Sequence, residues 1–319
     1  MQQYIARRLL LNIPVLFLVV TFVFMASHLQ PDWAERRAAQ GFTTGMGYDE
    51  AVRQIRKIMG TDKPLYHQYG EYLLDVVTLD FGTSLLTRHS VMSELKDRWG
   101  TSIELGILQI MIASIISIPI GVISAIRQDT WLDYVLRFLA ILGLAIPSFY
   151  LATLLLLVAF NWFNWSPPIT TYAGLFSNPI ENLKSMLLPA LAGGFATGAV
   201  VMRLLRSQLL EVLRQDYVRT AWAKGLRERT IITRHALKNA MIPVFTVLGF
   251  MLAAMFGGNV VLESMFRLPG IGQFVVISMQ QNDFPVVQGI ILLVAMILVL
   301  TNLVVDLSYA WLDPRIRYG

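Results

Sequence analysis

Six stretches of this chain, residues 9–29, 106–126, 138–160, 186–202, 239–262 and 286–305, contain no Asp, Glu, Lys or Arg. Each has the length, about 17 to 25 residues, that a helix needs to cross a hydrocarbon core. Inside such a core every backbone N–H and C=O must be satisfied within the segment, which leaves helices as the open-chain solution. The expected fold is therefore all-α: a polytopic membrane protein with six transmembrane helices, a single transmembrane domain over 1–319. A large soluble core is the competing explanation, but buried soluble helices are rarely this long and this free of charge. The first run follows Arg7 and Arg8, as in a signal peptide. It is long, however, and ends in Ser27-His28-Leu29-Gln30-Pro31 without a small-residue cleavage site, so it is read as a retained span.

The charges lie between the runs. Only 15% of residues are charged, against about a quarter in soluble domains, yet all 47 fall in the 193 residues outside the runs, which restores the soluble proportion. With the N-terminus inside, the short inside segments hold Arg7, Arg8, Arg127, Arg137, nine basic residues from Arg203 to Lys238, and Arg315 with Arg317. The two later outside loops hold only Lys184 and Arg267. This asymmetry places both termini in the cytoplasm. The net charge of +5 thus marks topology, and a nucleic-acid partner is not expected. With no cysteine there is no disulfide scaffold.

Residues 30–100 form the one connecting segment long enough for a folded insert, placed outside after the first span. Its start, 31–48, is expected to be irregular. Asp49 then caps a short amphipathic helix with Val52, Ile55 and Met59 on one face, closed by Gly60. A second helix runs from about Tyr66 to Leu79 and stops at Asp80-Phe81-Gly82. These faces are expected to pack on each other or on span ends. Segments 161–185 and 263–285 read as outside loops, with Asn161-Trp162-Phe163-Asn164-Trp165 as an interfacial aromatic belt.

Catalytic chemistry is missing. The four histidines are scattered, and no zinc-protease, nucleophile-elbow or P-loop motif occurs, so neither catalytic residues nor a metal site is expected. Proton relays need ionisable groups deep in spans; Glu104, Glu263 and Asp306 stand only at span margins and are assigned structural roles. A conduit powered by another subunit is the economical reading.

One inside segment, 203–238, carries more than topology. Tyr217 to Lys224 reads as a helix ended by Gly225 in a left-handed turn, and a second helix leads to Pro243 at the next span. Tyr217, Ala221, Leu226, Ile231 and Ile232 stand among basic residues. Spacing alone leaves two roles open, lying on anionic headgroups and docking a protein.

Here the chain resembles the permeases of binding-protein-dependent ABC importers. Ala221-x-x-x-Gly225 followed by Asn239-Ala240-Met241-Ile242-Pro243 is similar to their EAA loop. Asp216-Tyr217-Val218-Arg219-Thr220-Ala221-x-Ala223-Lys224-Gly225-Leu226 resembles the dipeptide/oligopeptide/nickel group in particular, as do Asp62-Lys63-Pro64-Leu65-Tyr66, Asp80-Phe81-Gly82-Thr83-Ser84, Ala145-Ile146-Pro147-Ser148-Phe149 and Pro269-Gly270-Ile271-Gly272. Arg219 and Thr220 stand where the general motif begins Glu-Ala, and Gln30-Pro31-Asp32-Trp33 replaces a frequent Pro-Gly-Asp-Pro.

The resemblance implies a prokaryotic inner-membrane subunit that works with a second similar permease, two cytoplasmic ATPases, an external solute-binding protein and membrane lipids. No cofactor is expected on this chain; ATP and Mg belong to the partner subunits. Tyr217, Arg219, Thr220, Ala221, Lys224, Gly225 and Leu226 would couple to the ATPase. Pro147, expected to kink the third span with Ser148 satisfying freed backbone groups, and Gly257, Gly258 and Asn259 near the outer end of the fifth span are candidates for the pathway or gate. Gly194-x-x-x-Gly198 reads as close helix packing. An ion-coupled secondary transporter and a non-transporting membrane scaffold or receptor subunit are the rival classes; co-elution with ATPases separates them from an importer. Peptides lead as substrate, with nickel, glutathione, opines and sugars also carried by similar permeases.

Overall fold

The computed structural model describes residues 2–28, 36, 38, 47–58, 60–168, 172–255 and 257–312. Among them it is helical, with one isolated antiparallel bridge, Thr83 to Ser90, and no strand. The helices are α1 (Gln2–His28), α2 (Tyr48–Ile58), α3 (Leu65–Thr78), α4 (Val91–Ile126), α5 (Trp131–Ala145), α6 (Ser148–Phe163), α7 (Pro179–Leu213), α8 (Asp216–Ala223) and α9 (Glu228–Thr230). A π-helical turn (Ile231–Ala236) follows α9, then come α10 (Leu237–Met255), α11 (Val260–Phe266), α12 (Ile271–Gln280) and α13 (Phe284–Leu312). Val91–Ile126, Pro179–Leu213, Glu228–Leu252 and Phe284–Thr301 are long and apolar enough to cross a membrane. The pairs α5/α6 and α11/α12 raise the number to six if each pair is one broken span. The chain is a polytopic, multi-pass membrane protein of all-α class.

It divides into two units. The first comprises Met1–Ser102, Phe256–Val260 and Pro269–Gly319. Here Tyr72, Leu73 and Val76 of α3 pack with Val20 and Val23 of α1 and Leu292 of α13, so the second predicted insert helix does lean on a span, the last one, and on the apolar helix α1. Its predicted end is also observed: Leu79 turns left-handed (φ 57°) before Asp80. The α2 helix begins at Tyr48, so Asp49 lies in its first turn instead of capping it, while Gly60 (φ 65°) terminates the chain reversal as expected. Ala51 and Ile55 are buried beside Leu85; Met59 and most of 31–48 lie outside the described residues. Asp283, at the start of α13, is fully buried and accepts hydrogen bonds from Ser84 Oγ, Leu85 N at 2.9 Å and Leu86 N at 3.1 Å. The Asp80–Ser84 stretch is thereby fastened to the last span.

The second unit comprises Ile103–Met255 and Val261–Leu268. Its centre is α7, whose Ala and Gly positions admit close neighbours: a Cβ at Gly194 would lie 2.9 Å from Ile112 Cβ, and one at Gly143 would lie 2.8 Å from Ala199 Cβ. The small-residue motif at 194 and 198 therefore does serve packing.

Three sequence expectations are corrected. The predicted third span, 138–160, is two helices meeting at 105°. Pro147 has no N–H to continue the ladder, and it forces Ile146 into an extended conformation (φ −85°, ψ 119°). Ser148 accordingly opens α6 instead of repairing a kink. The predicted fifth span, 239–262, already ends at Met255, because Gly257-Gly258 (φ 75° at Gly258) breaks the helix before α11. The predicted outside loop 263–285 contains α12, with Ile271, Phe274 and Ser278 buried at helical spacing. Of the aromatic belt, Trp162 and Phe163 are exposed, and Trp165 packs inward on the α6–α7 core. The side chains of Arg7, Arg8 and Asp306, and Arg315 and Arg317 altogether, lie outside the described residues.

Candidate functional site

The segment 203–238 folds as the sequence spacing predicts, with an addition. α8 starts after Gln215, whose carbonyl accepts from Val218 N and Arg219 N, and ends where Gly225 adopts φ 75°. Gly225 N bonds to Trp222 O at 2.9 Å and Leu226 N to Ala221 O at 3.4 Å, which ties off carbonyls that the helix end would leave bare. Only glycine takes that φ without strain. Nothing lies within 4 Å of where a Cβ at Gly225 would stand, so the requirement is conformational alone.

The loop has an inside and an outside. Val218, Ala221 and Ile231 are buried and pack with Val212 and Leu213 at the end of α7. Ala221 therefore owes its small size to the loop's own core, which Ile231 shares, and Ile232 is buried as well. Tyr217, Arg219, Thr220, Lys224, Gly225 and Leu226 are on the exposed side. Trp222, which the sequence reading passed over, is 48% exposed and is the largest apolar group on that face. A tryptophan in a basic segment far from any span end was the available signal.

The π-helical turn was not foreseen. It links α9 to α10, with Leu237 N bonding back to Ile232 O. Short π segments recur at functional positions. Tyr217 Oη bonds to the carbonyl of His235 within it at 3.3 Å and accepts from Asn239 Nδ2 at 2.7 Å. Asn239 Nδ2 also reaches His235 O at 3.2 Å. Helix α8 is thus pinned to the base of α10 by a polar cluster.

A second cluster lies one helix end away. Asp133 has 0% exposure and accepts from Arg206 Nε at 2.9 Å and Nη2 at 2.7 Å, from Ser124 Oγ, and from Asp129 N at 3.1 Å. This fork joins the end of α4, the start of α5 and the last turns of α7, which run into α8. In the sequence, 127–133 is a loop too short for a domain. Its signal was Thr130-x-x-Asp133, a capping pattern in which Thr130 Oγ1 indeed faces Asp133 N.

Of the candidate pathway residues, Pro147 and Ser148 stand at the α5/α6 break, and Gly257, Gly258 and Asn259 at the α10/α11 break. No group of His, Asp and Glu suited to a metal occurs among the described residues.

Comparison with known proteins gives two family matches. Residues 117–318 match the binding-protein-dependent transport system inner membrane component, and residues 1–106 match its N-terminal region. The dipeptide transport system permease protein of Alkalihalophilus pseudofirmus is 38% identical over 337 aligned positions, covering all of both chains. The glutathione transport system permease proteins of Escherichia coli K12 and Pectobacterium atrosepticum are each 36% identical over 319 positions, again covering all of both chains.

Proposed function

Since this chain belongs to the family of inner membrane components of binding-protein-dependent transport systems, we propose that it forms, beside a second and similar permease, the path by which peptides or related solutes enter the cell. It is the permease subunit of an ABC importer and not itself an enzyme; a solute-binding protein and ATPase subunits complete the system. In the arrangement we favour, the whole chain, 1–319, acts as one permease domain with both termini cytoplasmic. Two ATPases bind ATP and Mg, and one of them receives the exposed side of α8 and the turn at Gly225.

The observation that carries this reading is the two-sided loop. Its inner face is fixed to α7 by Val218, Ala221 and Ile231, and its outer face offers Tyr217, Trp222 and Leu226 among Arg219, Lys224 and Arg227. Aromatic groups ringed by arginine are typical anchors of protein interfaces. A face held this firmly can pass a displacement to α7 and, through Tyr217, to α10. Peptide is chosen because the relatives above are named for dipeptide and glutathione transport, solutes that share amide carbonyls.

Coexpression with the cognate partners tests the proposal. Co-elution with ATPase subunits, hydrolysis stimulated by the loaded binding protein, and a peptide recovered from that binding protein are the expected results. Stable transport by the solitary chain would refute it.

A further inference from the structure

The interior face of α4 on α7 holds two polar groups that its packing does not explain. Gln109, Ala113 and Ser117, four residues apart, line one side of α4 and meet Gly193, Gly194 and Gly198 of α7. A Cβ at Gly193 would lie 2.4 Å from the Gln109 amide, and one at Gly198 would lie 3.4 Å from Ala113 Cα and 3.7 Å from Ser117 Cβ. Gln109 is 2% exposed and Ser117 1%, yet neither Gln109 Nε2 nor Ser117 Oγ has a hydrogen-bond partner. Ser117 also lines a crevice of about 70 Å³ with Ile120, Leu139, Phe195 and Met202. Buried donors without acceptors are costly. Leucine and alanine would fill such a seam with no loss, so the two donors are explained by a state in which acceptors reach them. The α7 side presents hydrogen atoms where side chains would interlock, so the two helices can part without rotamer changes.

We propose that the α4–α7 seam opens during transport and that Gln109 and Ser117 then donate hydrogen bonds to amide carbonyl oxygens of the passing solute. This rests on the reading of the chain as a peptide-type permease. A carbonyl leaving water needs a donor, and a side-chain amide or hydroxyl meets any peptide bond regardless of its side chains. Both groups are neutral, so neither holds a charged end of the solute in place.

The test uses the complete importer in proteoliposomes, with both permeases, the ATPases and the binding protein. Because this chain has no cysteine, Ser117→Cys and Gln109→Cys each give it a single thiol, whose reaction with a membrane-impermeant methanethiosulfonate is read by the subunit's intact mass. Labelling should be about 10-fold faster during ATP turnover with peptide-loaded binding protein than without nucleotide, as expected when a minor open state becomes populated. Equal rates in both conditions overturn the opening. In the second arm, Gln109→Leu should lower peptide uptake per ATP about 10-fold, as loss of one hydrogen bond would, with stimulated hydrolysis unchanged and Gln109→Asn recovering most of the uptake. Unchanged uptake in Gln109→Leu overturns the contact. If the wild-type complex instead turns over only with solutes lacking amide groups, the peptide reading fails, and the labelling arm still decides whether the seam opens.

Discussion

Replacing Asp133 with asparagine removes one charge and almost no volume, so its effect isolates the buried fork on Arg206. The carboxylate is fully buried and takes both arms of the guanidinium, which itself is only 17% exposed. Asparagine can still accept from Ser124 or Asp129, but it turns an NH₂ toward a cation that has lost its counter-charge. Breaking a buried pair from one side costs about 3–5 kcal/mol. At about 2 °C per kcal/mol for a chain of this size, the unfolding midpoint should fall by roughly 6–10 °C. Removing both charges with Asp133→Leu and Arg206→Met leaves no stranded ion and should recover more than half of the loss. The assay is thermal unfolding of the detergent-solubilised complex by intrinsic tryptophan fluorescence, run as a double-mutant cycle. Trp131, two residues from the fork, serves as a nearby reporter. A midpoint within 1 °C of wild type for Asp133→Asn, or a double variant as unstable as the sum of the singles, would refute the argument.

Gly225→Val should express normally and strain the turn by about 1–2 kcal/mol through backbone conformation alone, since the space around it is open; the ratio of solute taken up to ATP hydrolysed should drop, and an unchanged ratio counts against coupling through this turn. Trp222→Ala should weaken ATPase docking by about 2 kcal/mol, or about 30-fold in Kd, measured by titrating purified ATPase onto permease of unchanged melting behaviour. Asp283→Ala strips acceptors from Ser84, Leu85 and Leu86 and should cost about 3 kcal/mol, visible as faster proteolytic nicking between residues 81 and 90. Gly194→Ala would push a methyl to 2.9 Å from Ile112 Cβ and 3.0 Å from the Gln109 carbonyl oxygen, lowering stability by about 1–3 kcal/mol in the same fluorescence assay.

What the sequence made legible was whatever depends on local rules. Absence of charge marks the apolar helices, Gly60 and Gly225 end their helices where turn chemistry demands, Asp80-Phe81-Gly82 follows the end of α3, and the α8 boundaries fall within a residue of expectation. Hidden from it was whatever depends on partners far along the chain. Asp133 and Arg206 are 73 positions apart and Asp283 and Ser84 are 199 apart, so each looks like an ordinary surface charge or loop residue until the helices assemble. Pro147 was seen but underrated: a proline inside a continuous apolar run reads as a kink, and only the geometry distinguishes a kink from a 105° corner. Composition does not tell which face of a short helix its neighbours cover, so the burial of Ala221 against α7 is visible only in the structure. The same limit hid Trp222, whose exposure gives it interest. The orphaned amide of Gln109 was invisible for the opposite reason, since a lone glutamine in an uncharged run signals nothing until its surroundings are known.

The length of α7 gives the second unit a mechanical character. Its 35 residues make a rod of about 52 Å, longer than the hydrocarbon layer and its headgroup margins together, about 40–45 Å. The glycines at 193 and 194 divide it into arms of about 22 Å toward Pro179 and about 28 Å toward Leu213. Taken as a fulcrum, that point makes the Leu213 end, where the chain turns into α8, the longer arm of the lever. A tilt of only 5° about it sweeps that end through about 2.5 Å and the other through about 2 Å. Force applied at the loop therefore arrives at the Pro179 end multiplied by about 1.3, the ratio of the two arms, and a swing of about 2.5 Å at one end becomes a shorter, more forceful one of about 2 Å at the other.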